Sequence, residues 1–207
     1  KAFLRHQPAM SVPAPNHQIT IFESFLKTRL TNPQAFTLID VKYNSTHCLN
    51  PIWHSPVDVP LFIQWLIDKQ YPVIHLTRSN HLENYVSMAM GTESAKWIVG
   101  RDEDLPGRSL QLELEPKVTL KQVQRREREL RRFRHYLQNA NCVEFEYDNL
   151  LCPQGHFTDE WAQSLAQLLG WESLPLLQPS TRKMGRSLSE VVVNLDTAIK
   201  PHLIQHG

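Results

Sequence analysis

The sequence predicts an α/β fold in which a parallel sheet is flanked by helices, and three observations carry that expectation. Short apolar runs of strand length sit at residues 36–41, 72–76 and 142–147. Segments with apolar residues at helical spacing lie between and around them. Strand, helix, strand, helix in succession requires crossover connections, which join parallel strands.

The elements follow in order. A Pro-bearing opening over residues 7–16 reads as a loop. Ile19, Phe22, Phe25, Leu26 and Leu30 then recur at helical spacing until Asn32 and Pro33 close the segment. Residues 36–41 are expected to form a buried strand. Val59, Phe62, Ile63, Leu66 and Ile67 mark a second helix, with Asp58 placed to cap it and Pro60 in its first turn. A second strand at 72–76 leads into a helix over 80–90, striped by Leu82, Val86 and Met90. Residues 91–117 mix Gly, Pro and charges without a period and read as an irregular insertion bordering a site. The longest helix is expected over 119–139, opened by Thr119 with Gln122 three positions on. A third strand at 142–147 precedes a helix over 158–169 that Gly170 stops. A last helix is expected over 187–200, with Ser187 and Glu190 as a capping box and Pro201 as its end.

Size and composition narrow the classes. A chain of 207 residues holds one sizeable core and hardly two, so a single domain over residues 1–207 is expected. A net charge of +1 and an apolar fraction of 41% exclude a disordered or collagen-like chain. Cys48, Cys142 and Cys152 are odd in number and lack ligand spacing, which argues against a disulfide framework and a zinc site and favours a reducing, cytoplasmic setting. The longest apolar runs, such as 59–67 and 191–195, are too short to cross a bilayer, so no membrane span is expected. The chain opens on Lys1 without a methionine or a signal-peptide pattern and reads as part of a longer protein.

The chemistry concentrates at residues 72–87, where an apolar strand delivers Arg78 just before a helix. In open α/β sheets this carboxyl edge is where ligands bind. A guanidinium beside helix-start amides suits a phosphate, and Ser87 adds a hydroxyl donor. The plainer reading is a surface arginine paired with a nearby acid.

The segment from Arg78 to Ser87 resembles the 3′-phosphate-binding segment of PAPS-dependent sulfotransferases, especially the bacterial carbohydrate type. Residues 39–43 (IDVKY), 143–151 (VEFEYDNLL), 168–171 (LLGW), 182–184 (RKM) and 193–195 (VNL) resemble further parts of that family in the same order. The resemblance covers residues 36 to the C-terminus. It implies a three-layer P-loop-type fold with a central parallel sheet flanked by helices, and a sulfuryl transfer from PAPS that needs no metal. It places Arg78 and Ser87, with Arg182 and Lys183, on the 3′-phosphate of the donor, and Lys42 after the strand that precedes the acceptor loop.

The sequence departs from the family in one serious respect. The Gly- and Ser-rich loop that wraps the 5′-phosphosulfate has no counterpart between Lys1 and Gly207. The N-terminal strand and donor loop are therefore expected upstream of Lys1. The family's histidine two positions after the lysine is Asn44 here, so the general base does not carry over; Lys42, His47 and His54 are the candidates on residue type. The ten histidines form no ligand pair, and no metal is expected.

The acceptor is expected to be a carbohydrate or other small molecule bearing a hydroxyl or amine. Arg125, Arg126, Arg128, Arg131, Arg132 and Arg134 crowd one helix with Glu127 and Glu129 interleaved, which favours a solvated face. Only Phe133 and Tyr136 lie near them, without the interleaving a base-stacking platform requires, so nucleic acid is not expected as a partner. The alternative is a non-catalytic module of the same fold that binds an anionic glycan or a protein partner. A P-loop kinase relative would need a Walker lysine, which is not visible.

Overall fold

The computed structural model describes residues 17–29, 38–43, 59–94, 110–175, 179 and 186–206. Helices α1 (His17–Arg29), α2 (Leu61–Asp68), α3 (His81–Ser94), α4 (Pro116–Leu137), α5 (Asp159–Leu169), α6 (Leu188–Val191) and α7 (Lys200–His206) accompany strands β1 (Val73–Thr77) and β2 (Cys142–Glu146). The architecture is mixed α/β and mostly helical. Among the described residues the sheet has two strands, β1 beside β2. Its direction follows from register: Val73 N–H donates to the Asn141 carbonyl and the Thr77 hydroxyl to the Phe145 carbonyl, so both strands rise together and are parallel.

The chain divides into two compact units, residues 1–73 with 133–141, and residues 74–132 with 142–207. In the first, α1 and α2 meet through aromatic rings. The Phe22 ring stands edge-on to Phe62 at 5.3 Å and to Trp65 at 5.5 Å, the geometry the ring quadrupoles favour. The buried indole of Trp65 donates to Glu23 Oε1 at 2.7 Å, which satisfies its polar atom. Tyr43 stacks on Phe133 at 4.1 Å. Helix α2 starts after Pro60, whose carbonyl accepts from Gln64 N–H; Asp58 lies outside the described residues. It ends without a glycine. Gln70 takes the left-handed conformation (φ 53°) while Tyr71 N–H reaches back to the Leu66 carbonyl, which closes the helix as a Schellman turn.

The predicted strand at 36–41 is not observed where the structure describes it. Residues 38–43 form no strand, and Leu38 is 85% exposed. An apolar run that finds no pairing edge is no strand, whatever its propensity.

In the second unit, β1 turns polar residues inward: His75 and Thr77 are buried, whereas Ile74 (39% exposed) and Leu76 (50%) face outward. Partners make this tolerable, since His75 Nδ1 lies 3.0 Å from Glu144 and Thr77 is bonded to Phe145 and Glu146. Behind β2, Phe145 packs against Trp161 of α5, on which Phe157 stacks at 4.2 Å. Helix α5 has the expected ends, with Thr158 accepting from Trp161 N–H and Gly170 left-handed at φ 69°.

The core of this unit joins Val86 of α3, Leu112 and Leu114 of the segment before α4, and Val191, Val192, Leu195 and Ile199. The irregular insertion expected at 91–117 is thus partly structural. Helix α3 runs on to Ser94, and residues 110–115 supply core side chains; residues 95–109 lie outside the described set. Helix α4 begins one turn before its expected opening. Pro116 occupies the first helical position and the Glu115 carboxylate accepts from Lys117 and Val118 N–H, while Thr119 is wholly buried with its hydroxyl on the Glu115 carbonyl.

The last helix is also redrawn. The capping box of Ser187 and Glu190 is present, yet α6 stops after one turn. Val192 leaves it to form a parallel bridge with Leu112, and the Asn194 amide clamps Leu114, donating to its carbonyl at 2.7 Å and accepting from its N–H at 3.1 Å. A π-helical turn (Leu195–Ile199) then feeds α7, so Pro201 continues the chain instead of ending it. Pro201 lacks an N–H and follows close on that wider turn. No described helix is long and apolar enough to cross a membrane.

Candidate functional site

The carboxyl edge of β1 and β2 presents Arg78, which the sequence placed at a ligand site, together with three acids it did not single out. Glu146 is the anchor. Its Oε1 accepts the Ser79 N–H at 2.8 Å, and its Oε2 accepts the Ser79 hydroxyl at 2.7 Å and the Thr77 hydroxyl at 3.2 Å. One carboxylate on β2 therefore fixes the turn that leaves β1. Asn80 next caps α3 by accepting Glu83 N–H at 3.0 Å, and His81 N–H is used by the Ser79 carbonyl. Part of the helix start open to an anion is thus already satisfied.

Arg78 lies between these anchors, its side chain 14% exposed. Nη2 donates to Glu83 Oε2 at 2.9 Å, Nε to Asp148 Oδ2 at 3.4 Å, and the guanidinium carbon sits 5.3 Å from the centre of the Tyr147 ring. Nη1 has no partner among the described residues. Among the described residues Glu83 and Asp148 contact Arg78 and Glu146 holds the adjoining turn, so three carboxyl groups accompany one guanidinium. The edge is thus acidic on balance, with an ordered guanidinium at its centre. Ser87 is exposed on α3, and its hydroxyl makes no hydrogen bond among the described residues.

Lys42 lies in the first compact unit, exposed and paired with Asp40 at 2.6 Å. His47, His54, Arg182 and Lys183 lie outside the described residues. A sequence signal for the missed acids did exist: Glu144 and Glu146 alternate along β2, which sends both to one face, and Asp148 follows two positions later.

On the face of the sheet, His75 and Glu144 pair beside Cys142. Burial pushes the Cys142 thiol up from its ordinary pKa, a backbone hydrogen bond from His75 partly offsets this, and the Glu144 charge adds to the rise. That thiol is held neutral, the opposite of an activated nucleophile. Among the described residues no group of three or more His, Cys, Asp and Glu is placed to hold a metal. Comparison with family models, with known proteins and with solved structures returns no match for this chain.

Proposed function

We propose that this chain is the donor-binding part of a PAPS-dependent sulfotransferase that moves a sulfuryl group to a hydroxyl or amine of a carbohydrate or small molecule. The observation that carries the reading is Arg78, presented with an ordered guanidinium at the carboxyl edge of a parallel strand immediately before a helix. Its open Nη1 and the exposed Ser87 hydroxyl are the donors left for the 3′-phosphate. The phosphate shares the guanidinium with Glu83 and Asp148, or displaces one of them.

In this reading the sheet belongs to a three-layer P-loop-type fold, and the reaction is an in-line displacement. A base takes the acceptor proton, the acceptor oxygen or nitrogen bonds to sulfur, and the bond to the bridging phosphate oxygen breaks. Adenosine 3′,5′-bisphosphate leaves. Arg182 and Lys183 would add charge at the 3′-phosphate, and Lys42 or His47 would act on the acceptor side. The reading also requires a Gly- and Ser-rich loop for the 5′-phosphosulfate, since stabilising the transferring group is the largest catalytic contribution such a site can make. The test is calorimetric titration of the protein with adenosine 3′,5′-bisphosphate. Saturable binding that Arg78→Ala weakens at least about tenfold and Ser87→Ala weakens less is expected, since a charge-assisted pair outweighs a neutral hydroxyl. Absence of saturable binding by the wild type removes the proposal.

A further inference from the structure

The arginines of α4 alternate with acids in the sequence, but the helix sorts them. At 3.6 residues per turn, Lys117, Lys121, Gln124, Arg128 and Arg132 fall within roughly 80° of arc. Lys117, Lys121, Arg128 and Arg132 are exposed, and no carboxylate among the described residues pairs with them. The acids stand at the two margins of this stripe, where Glu129 holds Arg125 at 2.9 Å and Glu127 holds Arg131 at 3.5 Å. Arg126 is on the inner side altogether. Its guanidinium lies over the Tyr85 ring at 5.3 Å, donates to Gln122 and approaches the Met88 sulfur, and burial lowers its pKa below the ordinary arginine value.

The sorted helix thus carries four uncompensated cations in a line about 22 Å long, flanked by neutralised pairs that confine the positive potential to that line. We propose that this stripe is a docking surface for a linear anionic glycan, a chain bearing sulfate or carboxylate groups. The chemistry of the stripe selects among polyanions. It offers point charges and forks for sulfate or carboxylate oxygens, with Gln124 the sole side-chain amide, and no aromatic ring on which a base could stack. An anionic membrane would also require apolar anchors, and Val118 is the exposed apolar side chain beside the line. The surface is independent of Arg78 and stands whether or not that residue takes a phosphate.

The experiment titrates the protein with a heparin-derived oligosaccharide of defined length, and in parallel with a DNA duplex of similar charge, across a series of salt concentrations. Arg128→Gln with Arg132→Gln is expected to weaken oligosaccharide binding at least about tenfold and to flatten the salt dependence by roughly two counterions. Arg125→Gln with Arg131→Gln removes the same formal charge from pairs that are already compensated and is expected to cost less than about threefold. Because all four side chains are exposed, unchanged thermal unfolding should accompany both doubles; Lys121→Gln supplies an independent third variant. Equal losses from the two doubles, tighter binding of the duplex, or no saturable binding at about 50 mM salt would each overturn the proposal.

Discussion

Replacing Asn194 tests whether its amide, and not the bulk of its side chain, keeps the last helix broken. Asn194 donates to the Leu114 carbonyl at 2.7 Å and accepts the Leu114 N–H at 3.1 Å, so it stands in for a neighbouring strand beside a buried residue. A buried backbone group left unpaired costs about 1–3 kcal/mol, so Asn194→Ala is expected to cost about 2–4 kcal/mol. For a chain of this size that is a fall in Tm of roughly 5–15 °C. Asn194→Asp keeps the shape and the acceptor but sets a carboxylate oxygen against the Leu114 carbonyl, so it should cost at least as much as Ala. Urea unfolding followed by circular dichroism measures both, with the slope recorded beside the midpoint to detect any loss of cooperativity. If Asn194→Asp lies within about 0.5 kcal/mol of wild type, the range of an uninvolved surface change, the clamp has no energetic role and the reasoning fails.

Other expectations rest on single contacts. Glu83→Gln frees the Arg78 fork from its closest carboxylate and should tighten adenosine 3′,5′-bisphosphate by about fivefold, roughly 1 kcal/mol; a weaker complex by calorimetry would mean Glu83 orients the site and does not compete for it. Gln70→Gly relieves a left-handed conformation at the end of α2 and should raise stability by about 0.5–1 kcal/mol in urea melts, whereas a loss would show that the Gln70 side-chain bond to the Ile67 carbonyl outweighs the strain. The Cys142 thiol, pushed up by burial, should be alkylated by iodoacetamide at pH 7.5 at less than about a tenth of its rate in the unfolded chain, as read by mass spectrometry of its peptide; parity between the two rates would contradict its burial.

What was legible in the sequence was whatever local chemistry decides. The stripes of α1, α2 and α3, the strands at 73–77 and 142–146, the Thr158 and Gly170 ends of α5 and the Ser187–Glu190 box all follow from near neighbours in the chain. The rest depended on distant partners. Residues 38–41 have strand-forming side chains but pair with no strand among the described residues. Helix α6 stops because Leu112, some eighty positions earlier, competes for the backbone of Val191 and Val193. At the site, the sequence located Arg78 at the sheet edge but not its company, because Glu83 is five positions away and Asp148 seventy. Whether an arginine greets an anion or is already occupied is decided by those pairings.

The π-helical turn has a consequence for how the C-terminal segment is dimensioned. Val191, Leu195, Ile199 and Leu203 recur every four residues, and on an ideal α-helix that cadence slips around the axis by about 40° at each step. Val191 belongs to the separate α6, but from Leu195 two steps would already carry Leu203 about 80° around the axis, yet both pack into the same cluster. The wider turn at Leu195–Ile199 absorbs the slippage, acting as a phase correction between the start and the end of the stripe. Chain length after the turn is consequently as constrained as side-chain identity. Deleting one residue between the turn and Leu203 would swing Leu203 by roughly 100°, turning an apolar residue to water without altering any side chain of the core, whereas a deletion within the turn is absorbed by its return to an ordinary helix.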